Sequence, residues 1–303
     1  MTTKNNDNLS LNGTNVLPDW ADKMGVILRF FARFFPNKVA GFMAAMWFKP
    51  FMPKAKPHVI EWQNKADKKI QLTKGQAFLF LGDENKDIKE KPLVVCVHGW
   101  RGRAHQMRRF LPVLLDRGFR VVMVNLPAHS DDDENKTHLY ECGDVIKELN
   151  QEMGPIDSVI AHSFGSPSMA LALEGKLPLR KFIMVAANLD INHLLTEYAK
   201  AFKLEWLLPK INQQIKKRCD KDIFEGSWDS LNMDTVLNSL ASVEELQFWH
   251  DPKDTEICIA TNEEVNRRLI DKGQKSSIQE VENVGHFDIL KSKEIVEKIC
   301  NEL

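Results

Sequence analysis

Short apolar runs alternate with helix-like segments along most of the chain. Runs that are apolar almost throughout are typical of strands buried on both faces of a parallel sheet. The predicted strands are Leu93–Val97, Arg120–Val124, Ser158–Ala161, Phe182–Ala186, Glu245–Trp249 and Ser277–Val281. The predicted helices are Gln106–Arg117, Leu139–Met153, Pro167–Glu174, one near Asn262–Lys272 and a last one from about Lys291. This alternation predicts right-handed βαβ crossovers and an α/β fold, with a mostly parallel central sheet and helices on both faces.

Two segments depart from this alternation and suggest a domain division. Residues 1–57 contain the most apolar stretch of the chain and are predicted to form an N-terminal helical arm. Residues 188–240 are helix-like without a convincing buried strand, and are predicted to form a helical cap insertion. The core is then expected in residues 58–187 and 241–303. At its start, Val59–Trp62 and Gln76–Leu81 are short strand-like runs that predict a hairpin or meander.

The apolar stretch Met24–Met52 does not have the pattern of a membrane span. Pro36 breaks it, and its longest uncharged run, Val39–Phe48, is about half of the roughly 20 residues that a span needs. Its charges are Arg29, Arg33, Lys38 and Lys49. Two interpretations stay open. Its helices could pack their Phe faces on the main domain or a second subunit, or the arm could be amphipathic and lie on a membrane or contact an apolar substrate.

Composition narrows the classes of function. The 303 residues carry 41 Lys and Arg against 42 Asp and Glu, a formal charge of −1, so charge gives no argument for nucleic-acid binding. Five scattered cysteines without a CxxC pair argue against a disulfide framework or a structural zinc site and suit a reducing compartment. The polar first 15 residues lack the features of a secretory signal. The expected location is cytoplasmic.

The pattern Ala161-His162-Ser163-Phe164-Gly165 stands directly between a predicted strand and a predicted helix. A nucleophilic serine on such a tight turn requires small residues two positions before and after it, because the backbone passes close to neighbouring elements. Gly165 meets this requirement, and Ala161 adds one methyl group. The alternative is that Ser163 only caps the helix, as serine often does.

Three further residues complete a candidate catalytic group. The sequence His98-Gly99-Trp100 follows a buried strand, so the N–H of Trp100 and that of Phe164 could form a two-donor oxyanion hole. His286 follows the last predicted strand, and Asp254 follows the strand before it. The carboxyl ends of parallel strands gather ligands and catalytic groups at one edge of the sheet.

Several neighbouring residues have other interpretations. Asp190 and Asp251 also lie near strand ends and are the alternatives to Asp254 as the acid. His98 is expected to shape its loop through bonds to the backbone, and His162 to be a pocket or structural residue. The acidic run Asp131–Glu134 lacks the ligand spacing of a calcium loop and is expected to be a solvated surface loop.

Together these residues resemble the α/β-hydrolase family from about Val59 to the C-terminus, apart from the helical insertion. The stretches Cys96-Val-His-Gly-Trp-Arg-Gly-Arg and Asn125-Leu-Pro-Ala-His-Ser look like two loops of that family. The resemblance implies that Ser163 is the nucleophile, His286 the general base and Asp254 the orienting acid. Asn125, Ala128 and Ala161 depart from the family's more usual Asp, Gly and Gly.

The expected activity is hydrolysis of a carboxylic ester through an acyl-enzyme, without a metal or cofactor. Thioesters, amides and C–C bonds are alternative targets of the same residues. A catalytically inactive scaffold that binds a partner is the alternative outside enzymes. The expected partner is a small ester-type molecule with an apolar group. Nucleic acid is not expected, peripheral membrane contact is possible, and the oligomeric state is open.

Overall fold

The chain is built on an eight-stranded sheet. The computed structural model describes residues 21–82, 91–131, 135–219, 228 and 231–303. The strands are β1 (Lys68–Gln71), β2 (Gln76–Phe80), β3 (Leu93–Val97), β4 (Arg120–Asn125), β5 (Ser158–His162), β6 (Leu179–Val185), β7 (Val243–His250) and β8 (Lys275–Glu280). The helices are α1 (Ala21–Ala32), α2 (Pro36–Trp47), α3 (Pro57–Gln63), α4 (Phe110–Asp116), α5 (Leu139–Met153), α6 (Gly165–Leu173), α7 (Ile191–Ala201), α8 (Leu208–Cys219), α9 (Met233–Ser239), α10 (Ile259–Asp271), α11 (Gly285–Asp288) and α12 (Lys293–Asn301).

The strand order is β1-β2-β4-β3-β5-β6-β7-β8. Strands β1, β2 and β4 are joined by antiparallel pairing, and every pair from β4–β3 to β7–β8 is parallel. The prediction of an α/β fold with a mostly parallel sheet is therefore confirmed. The carboxyl ends of β3, β5, β7 and β8 lie at one edge of this sheet, which is where an open α/β sheet assembles its chemistry.

Two hydrophobic cores lie on opposite faces of the sheet. Side chains alternate along each strand, so Val95 and Val97 of β3 enter one core while Val94 and Cys96 enter the other. Helices α5, α6, α9 and α10 cover the first face, and α4 and α12 cover the second. Because β3 is buried along its whole length, it reads as a continuous apolar run in the sequence.

The prediction for the first part of the hairpin is wrong. Val59–Trp62 belongs to helix α3, in which Pro57 is the first residue and has a backbone angle suited to a helix start. The strand that pairs with β2 is instead β1, in which only Ile70 is buried. Because β1 is an edge strand, its charged positions face water and the sequence shows no apolar run there.

The predicted helix Gln106–Arg117 is also shorter than expected. A 3₁₀ turn covers Ala104–Met107, and α4 begins only at Phe110. Pro112 lies in the first turn of α4, where its missing N–H removes no helical bond, so the proline marks a helix start rather than a helix interior.

Helices α1 and α2 pack against α7 and α8, and these four helices form a third hydrophobic cluster. Tyr198 Oη donates to the carbonyl oxygen of Met43 at 2.9 Å, and Arg29 donates to that of Phe202 at 2.9 Å. The partner of the apolar arm is therefore the same chain, but the expectation that the arm packs through its Phe faces is wrong. Leu28, Ala32 and Met43 are the buried side chains, and Phe30, Phe31 and Phe34 are exposed. None of the helices in the described ranges has both the length and the apolar character needed to cross a bilayer.

Candidate active site

Ser163 stands on a sharp turn between β5 and α6. Its φ of +49° is a left-handed conformation that residues with a side chain rarely adopt, and its N–H donates to the carbonyl oxygen of Val185 at 2.9 Å. A Cβ added at Gly165 would lie 2.6 Å from the carbonyl oxygen of His98, so only glycine fits there. Ala161 lies in β5 and is fully buried in the adjacent core. The turn thus presents the serine hydroxyl above the sheet edge.

The structure brings Ser163, His286 and Asp254 into one hydrogen-bonded line. His286 Nε2 lies 3.0 Å from Ser163 Oγ, and His286 Nδ1 lies 2.8 Å from Asp254 Oδ2. A carboxylate can only accept, so Nδ1 carries the proton and Nε2 is free to accept the hydrogen of the serine. His286 follows β8 and Asp254 follows β7, whereas Ser163 follows β5.

The environment of Asp254 favours its charged form. Its side chain is fully buried, and Oδ1 accepts the N–H groups of Glu256 at 2.8 Å and Ile257 at 3.0 Å. Burial alone would raise the pKa of Asp254, but the hydrogen bond and charge of His286 and the two backbone bonds outweigh it and hold the pKa below its ordinary value. Asp254 is therefore an anion that is held in one orientation.

The two alternative carboxylates have other partners. Asp251 Oδ2 accepts the N–H groups of Val284 and Gly285, both at 2.7 Å, and so fixes the segment that ends at His286. Asp190 caps α7 by accepting the N–H of His193 at 3.0 Å. The positioning contact of Asp251 was not foreseen from the sequence, because its partners lie more than thirty residues away.

His162 holds His286 from the opposite side. Its Nε2 donates to the carbonyl oxygen of His286 at 2.8 Å, and the two rings lie 4.9 Å apart. Burial first, and then the nearby His286, lower the pKa of His162 to about 3, so its ring is neutral. The position next to the serine was the only signal in the sequence for this contact.

The loop after β3 lies against the serine. A Cβ on Gly99 would lie 3.0 Å from Ser163 Cβ and 2.9 Å from His162 Nδ1. The rings of Trp100 and Phe164 are in edge contact, with centroids 4.8 Å apart. The two residues with the predicted oxyanion-hole donors are thus neighbours, one on each side of the serine turn.

Two buried histidines and one asparagine fix the neighbouring loops. His98 Nε2 accepts the N–H of Leu126 at 3.1 Å, and His129 Nε2 accepts the N–H of Arg101 at 3.2 Å. Asn125 Oδ1 accepts the N–H of Ala104 at 2.7 Å. Burial is the main cause that lowers the pKa of His98 well below its ordinary value and that of His129 to about 4. The side chains of His98, His129 and Asn125 thus hold the backbone of these loops in place, as expected for His98.

A cavity of about 130 Å³ opens above the serine, and Ser163 and His286 lie in its wall. The other lining side chains are mostly apolar, and most come from the arm and from the segment after β6; the rest come from the serine turn, the loops after β3 and β7 and residues 137–140. They include Met46, Trp47, Phe48, Ile191, Leu194 and Tyr198. Trp47 packs edge-on against Tyr198, with ring centroids 5.1 Å apart. The arm therefore forms part of the pocket, in line with the open interpretation that it contacts an apolar substrate.

No group of three or more His, Cys, Asp or Glu side chains within the described ranges is arranged to hold a metal ion. None of the five cysteines, all of which lie within the described ranges, forms a disulfide, and four of them are buried. Asp131 accepts the N–H of Ala55 and a bond from Arg103 at 2.7 Å. The rest of the acidic run, residues 132–134, lies outside the described residues.

Comparison with solved structures identifies the fold. An esterase of Pyrococcus furiosus superimposes with a TM-score of 0.54 at 15% identity, over 83% of this chain and 94% of that one. A bacterial membrane phospholipase A superimposes with a TM-score of 0.54 at 12% identity, over 92% of this chain and 94% of that one. The thioesterase domain of the curacin biosynthetic pathway gives 0.51 at 14% identity, over 77% and 98%. These similarities define an α/β-hydrolase fold.

The sequence itself matches a family as well. The model of the alpha/beta hydrolase family matches residues 94–298, so the chain belongs to that family. The match runs from β3 into α12 and includes every residue of the candidate site from His98 to His286. A search of curated protein sequences finds no match. Family membership and esterase and thioesterase neighbours together support a hydrolase.

Proposed function

We propose that this protein is a serine hydrolase that cleaves carboxylic esters with Ser163, His286 and Asp254 as its catalytic triad. The observation that carries the proposal is the pair of hydrogen bonds, 3.0 Å and 2.8 Å long, that joins the serine to the histidine and the histidine to the aspartate. A nucleophile, a base and an orienting acid in this geometry are the arrangement that acyl transfer requires.

The mechanism follows from the atoms in contact. His286 Nε2 takes the hydroxyl proton as Ser163 Oγ attacks the ester carbonyl carbon, and Asp254 stabilises the resulting imidazolium. The N–H groups of Trp100 and Phe164 stabilise the oxyanion. The alkoxide leaves with the proton held on His286, and an acyl-enzyme remains. Water then attacks the acyl carbon, with His286 again as base, and releases the acid and free Ser163.

We assign the acyl or alkyl group to the cavity between the arm and the helices after β6. Support comes from its lining, in which Met46, Trp47 and Tyr198 present apolar and aromatic surface beside the serine. Residues 188–240 would then act as the cap, and the arm in residues 1–57 would complete it. An apolar substituent on the substrate matches this lining.

A thioester is the second candidate substrate, since a thioesterase domain is among the similar structures. The same triad cleaves both bonds, so the preference must be measured. A binding scaffold without activity is disfavoured, because each of the three side chains keeps its hydrogen-bond partner.

The test is a panel of p-nitrophenyl esters from acetyl to dodecanoyl, each paired with its thioester and amide. We expect ester hydrolysis that depends on acyl length and that Ser163→Ala abolishes. Ser168→Ala is the matched control, because Ser168 is a buried serine in the following helix α6, does not line the cavity, and donates its hydroxyl to the carbonyl oxygen of Phe164 at 2.9 Å. Thioester cleavage exceeding ester cleavage at every length would replace the ester assignment, and no turnover of any substrate would refute it.

A further inference from the structure

The outward face of helix α1 is more apolar than its inward face. Val26, Ile27, Phe30 and Phe31 of α1 and Phe34 just after it follow helical spacing and are all exposed, with Phe34 at 64% and Phe30 at 58%. Six of the eleven large apolar side chains exposed among the described residues lie in the short segment 26–35. A water-facing helix surface normally carries polar residues, so a concentration of this kind marks an interaction site.

The inward face fixes which side of α1 points outward. Leu28 and Ala32 are buried against the helices that follow β6, and a Cβ on Gly25 would touch the ring of Phe202 at 3.7 Å. Arg29 donates to the carbonyl oxygen of Phe202 at 2.9 Å. The inward-facing residues Gly25, Leu28 and Ala32 are small or medium in size. Rotating α1 to bury its phenylalanines would therefore force larger side chains into a close-packed interface.

The exposed side chains form one continuous surface. The ring of Phe30 lies 5.6 Å from that of Phe31 and 5.6 Å from that of Phe34. At the turn into α2, Lys38 Nζ lies 5.5 Å from the centre of the Phe35 ring. The surface thus combines clustered aromatic rings with a cation at its margin.

The charge around this surface is positive, although the whole chain carries −1. Within residues 21–52 the charged side chains are Lys23, Arg29, Arg33, Lys38 and Lys49 against Asp22. Helix α8 adds cations at the same place, since Lys210 donates to Asn37 and Arg218 donates to the carbonyl oxygen of Gly41. A partner that complements this surface offers an apolar region to the phenylalanines and negative charges to the surrounding cations.

We propose that the outward face of α1, with the turn to α2, docks this protein on the surface of an anionic lipid bilayer. Its phenylalanines would enter the boundary of headgroups and acyl chains, and its lysines and arginines would contact acidic headgroups. A second copy of the chain fits less well, because a symmetric contact would bring like charges together. The proposal goes beyond the proposed function and does not depend on it.

The first experiment measures co-flotation of the full chain with vesicles of phosphatidylcholine alone and of phosphatidylcholine with phosphatidylglycerol. We expect binding to the anionic vesicles that weakens at high salt. The variant Phe30→Ser/Phe31→Ser/Phe34→Ser should reduce partitioning at least about tenfold, since each lost aromatic side chain removes buried apolar area. The control Ile60→Ser/Ile270→Ser changes apolar side chains that are equally exposed elsewhere, at 45% and 51%, and should bind as the wild type does.

The second pair of variants tests the charges. Arg33→Glu/Lys38→Glu should reduce binding to anionic vesicles about tenfold or more and leave weak binding to neutral vesicles unchanged. Lys65→Glu/Lys68→Glu makes the same charge change at exposed positions near the β1 edge and should have a far smaller effect. Ser163→Ala should bind as the wild type does, which separates this proposal from the proposed function.

Three results would overturn the proposal. One is no binding to any vesicle by the correctly folded wild type. Another is equal binding by the wild type and the triple phenylalanine variant. The third is a concentration-dependent dimer, seen by light scattering, that the triple variant abolishes while vesicles bind neither form; the face would then join two copies.

Discussion

Two regions of the molecule meet at the cavity, and a different kind of interaction holds each of them in place. At the sheet edge, the site residues are fixed through the backbone. Ser163 is fixed by its turn, and His286 by the bond that its carbonyl oxygen accepts from His162 and by the bond that the adjacent Gly285 N–H donates to Asp251. In the unit formed by α1, α2, α7 and α8, side-chain packing dominates. Among its described residues, hydrogen bonds between positions far apart in the sequence, such as that from Tyr198 to Met43, are few.

The difference indicates a division of labour. Chemistry needs atoms fixed to within a fraction of an ångström, and backbone bonds to buried polar groups give that precision. A pocket for an apolar group needs only volume and apolar surface, which packed side chains supply and which can be changed without loss of the reaction. Changes at the sheet edge should therefore alter rate, and changes in the four-helix unit should alter specificity.

The largest effect should come from the nucleophile. Ser163→Ala and His286→Ala should each lower kcat/KM by about 10⁴-fold or more and leave the melting temperature close to that of the wild type. Ester hydrolysis and thermal unfolding measure the two quantities. Full activity in Ser163→Ala would remove the basis of the hydrolase proposal.

The next largest effect should be a loss of stability at the sheet edge at low pH. Burial lowers the pKa of His129 to about 4, that of His162 to about 3 and that of His98 well below its ordinary value. As pH falls below about 6.5, these histidines bind protons in the unfolded chain but stay neutral in the folded chain. The stability present at neutral pH is therefore lost towards pH 4.

At pH 5 the cost is about 2 kcal/mol for each of His129 and His162, and His98 adds to it in the same direction. Urea unfolding at several pH values measures it. A free energy of unfolding that stays constant from pH 7 to pH 5 would contradict the account.

The choice of acid gives the third effect. Asp254→Asn should lower kcat by about 10⁴-fold, because the histidine loses its orienting anion. Asp251→Asn should cost at most about tenfold, since its amide oxygen still accepts the N–H groups before His286. Asp190→Asn should leave activity nearly unchanged, because asparagine also caps helices. Near-normal activity in Asp254→Asn, with loss of activity in either other variant, would reassign the acid.

The pocket should respond more mildly. Trp47→Ala widens the cavity beside Tyr198, and should shift the preferred acyl chain to a longer one with about a tenfold change in relative kcat/KM. Trp62→Ala is the matched control, because Trp62 packs on Phe80 away from the cavity and its loss should affect stability without changing the chain-length profile. Identical profiles in the two variants would show that α2 does not shape the pocket.

The smallest effect concerns backbone strain in the loop after β4. Ala128 has a φ of +62°, so Ala128→Gly should raise the free energy of unfolding by about 0.5 kcal/mol, the strain relieved exceeding the entropy cost of glycine. Ala170→Gly, within helix α6, should lower it by about 1 kcal/mol. Destabilisation of equal size in both variants would show that Ala128 is not strained.

The sequence predicted the sheet edge better than the four-helix unit, for physical reasons. The serine turn needs small residues at fixed spacing, because a Cβ added at Gly165 would lie 2.6 Å from the carbonyl oxygen of His98, so the constraint is visible locally. The constraint on the fully buried strands is also visible locally, because burial at every position requires a continuous apolar run. By contrast, only Ile70 of β1 is buried, so this strand carries no such pattern.

Contacts between distant segments left no local signal. Tyr198 and Met43 are 155 residues apart, and neither residue type indicates the other, so the sequence could suggest that the arm packs on the main domain but not that it packs on α7. The same holds for Asp251 with Gly285, 34 residues apart. The segment Val59–Trp62 shows a third limit, because a short apolar pattern after a proline suits a helix as well as a strand.

The most direct test of the proposed triad is covalent labelling of the full chain with a fluorophosphonate, followed by mass spectrometry of the intact protein and of its peptides. The proposed mechanism predicts one adduct, on the peptide that contains Ser163, and none in Ser163→Ala. Labelling of Ser168→Ala should match that of the wild type. Failure of the folded wild type to label, or an adduct that persists in Ser163→Ala, would contradict the assignment of Ser163 as the nucleophile.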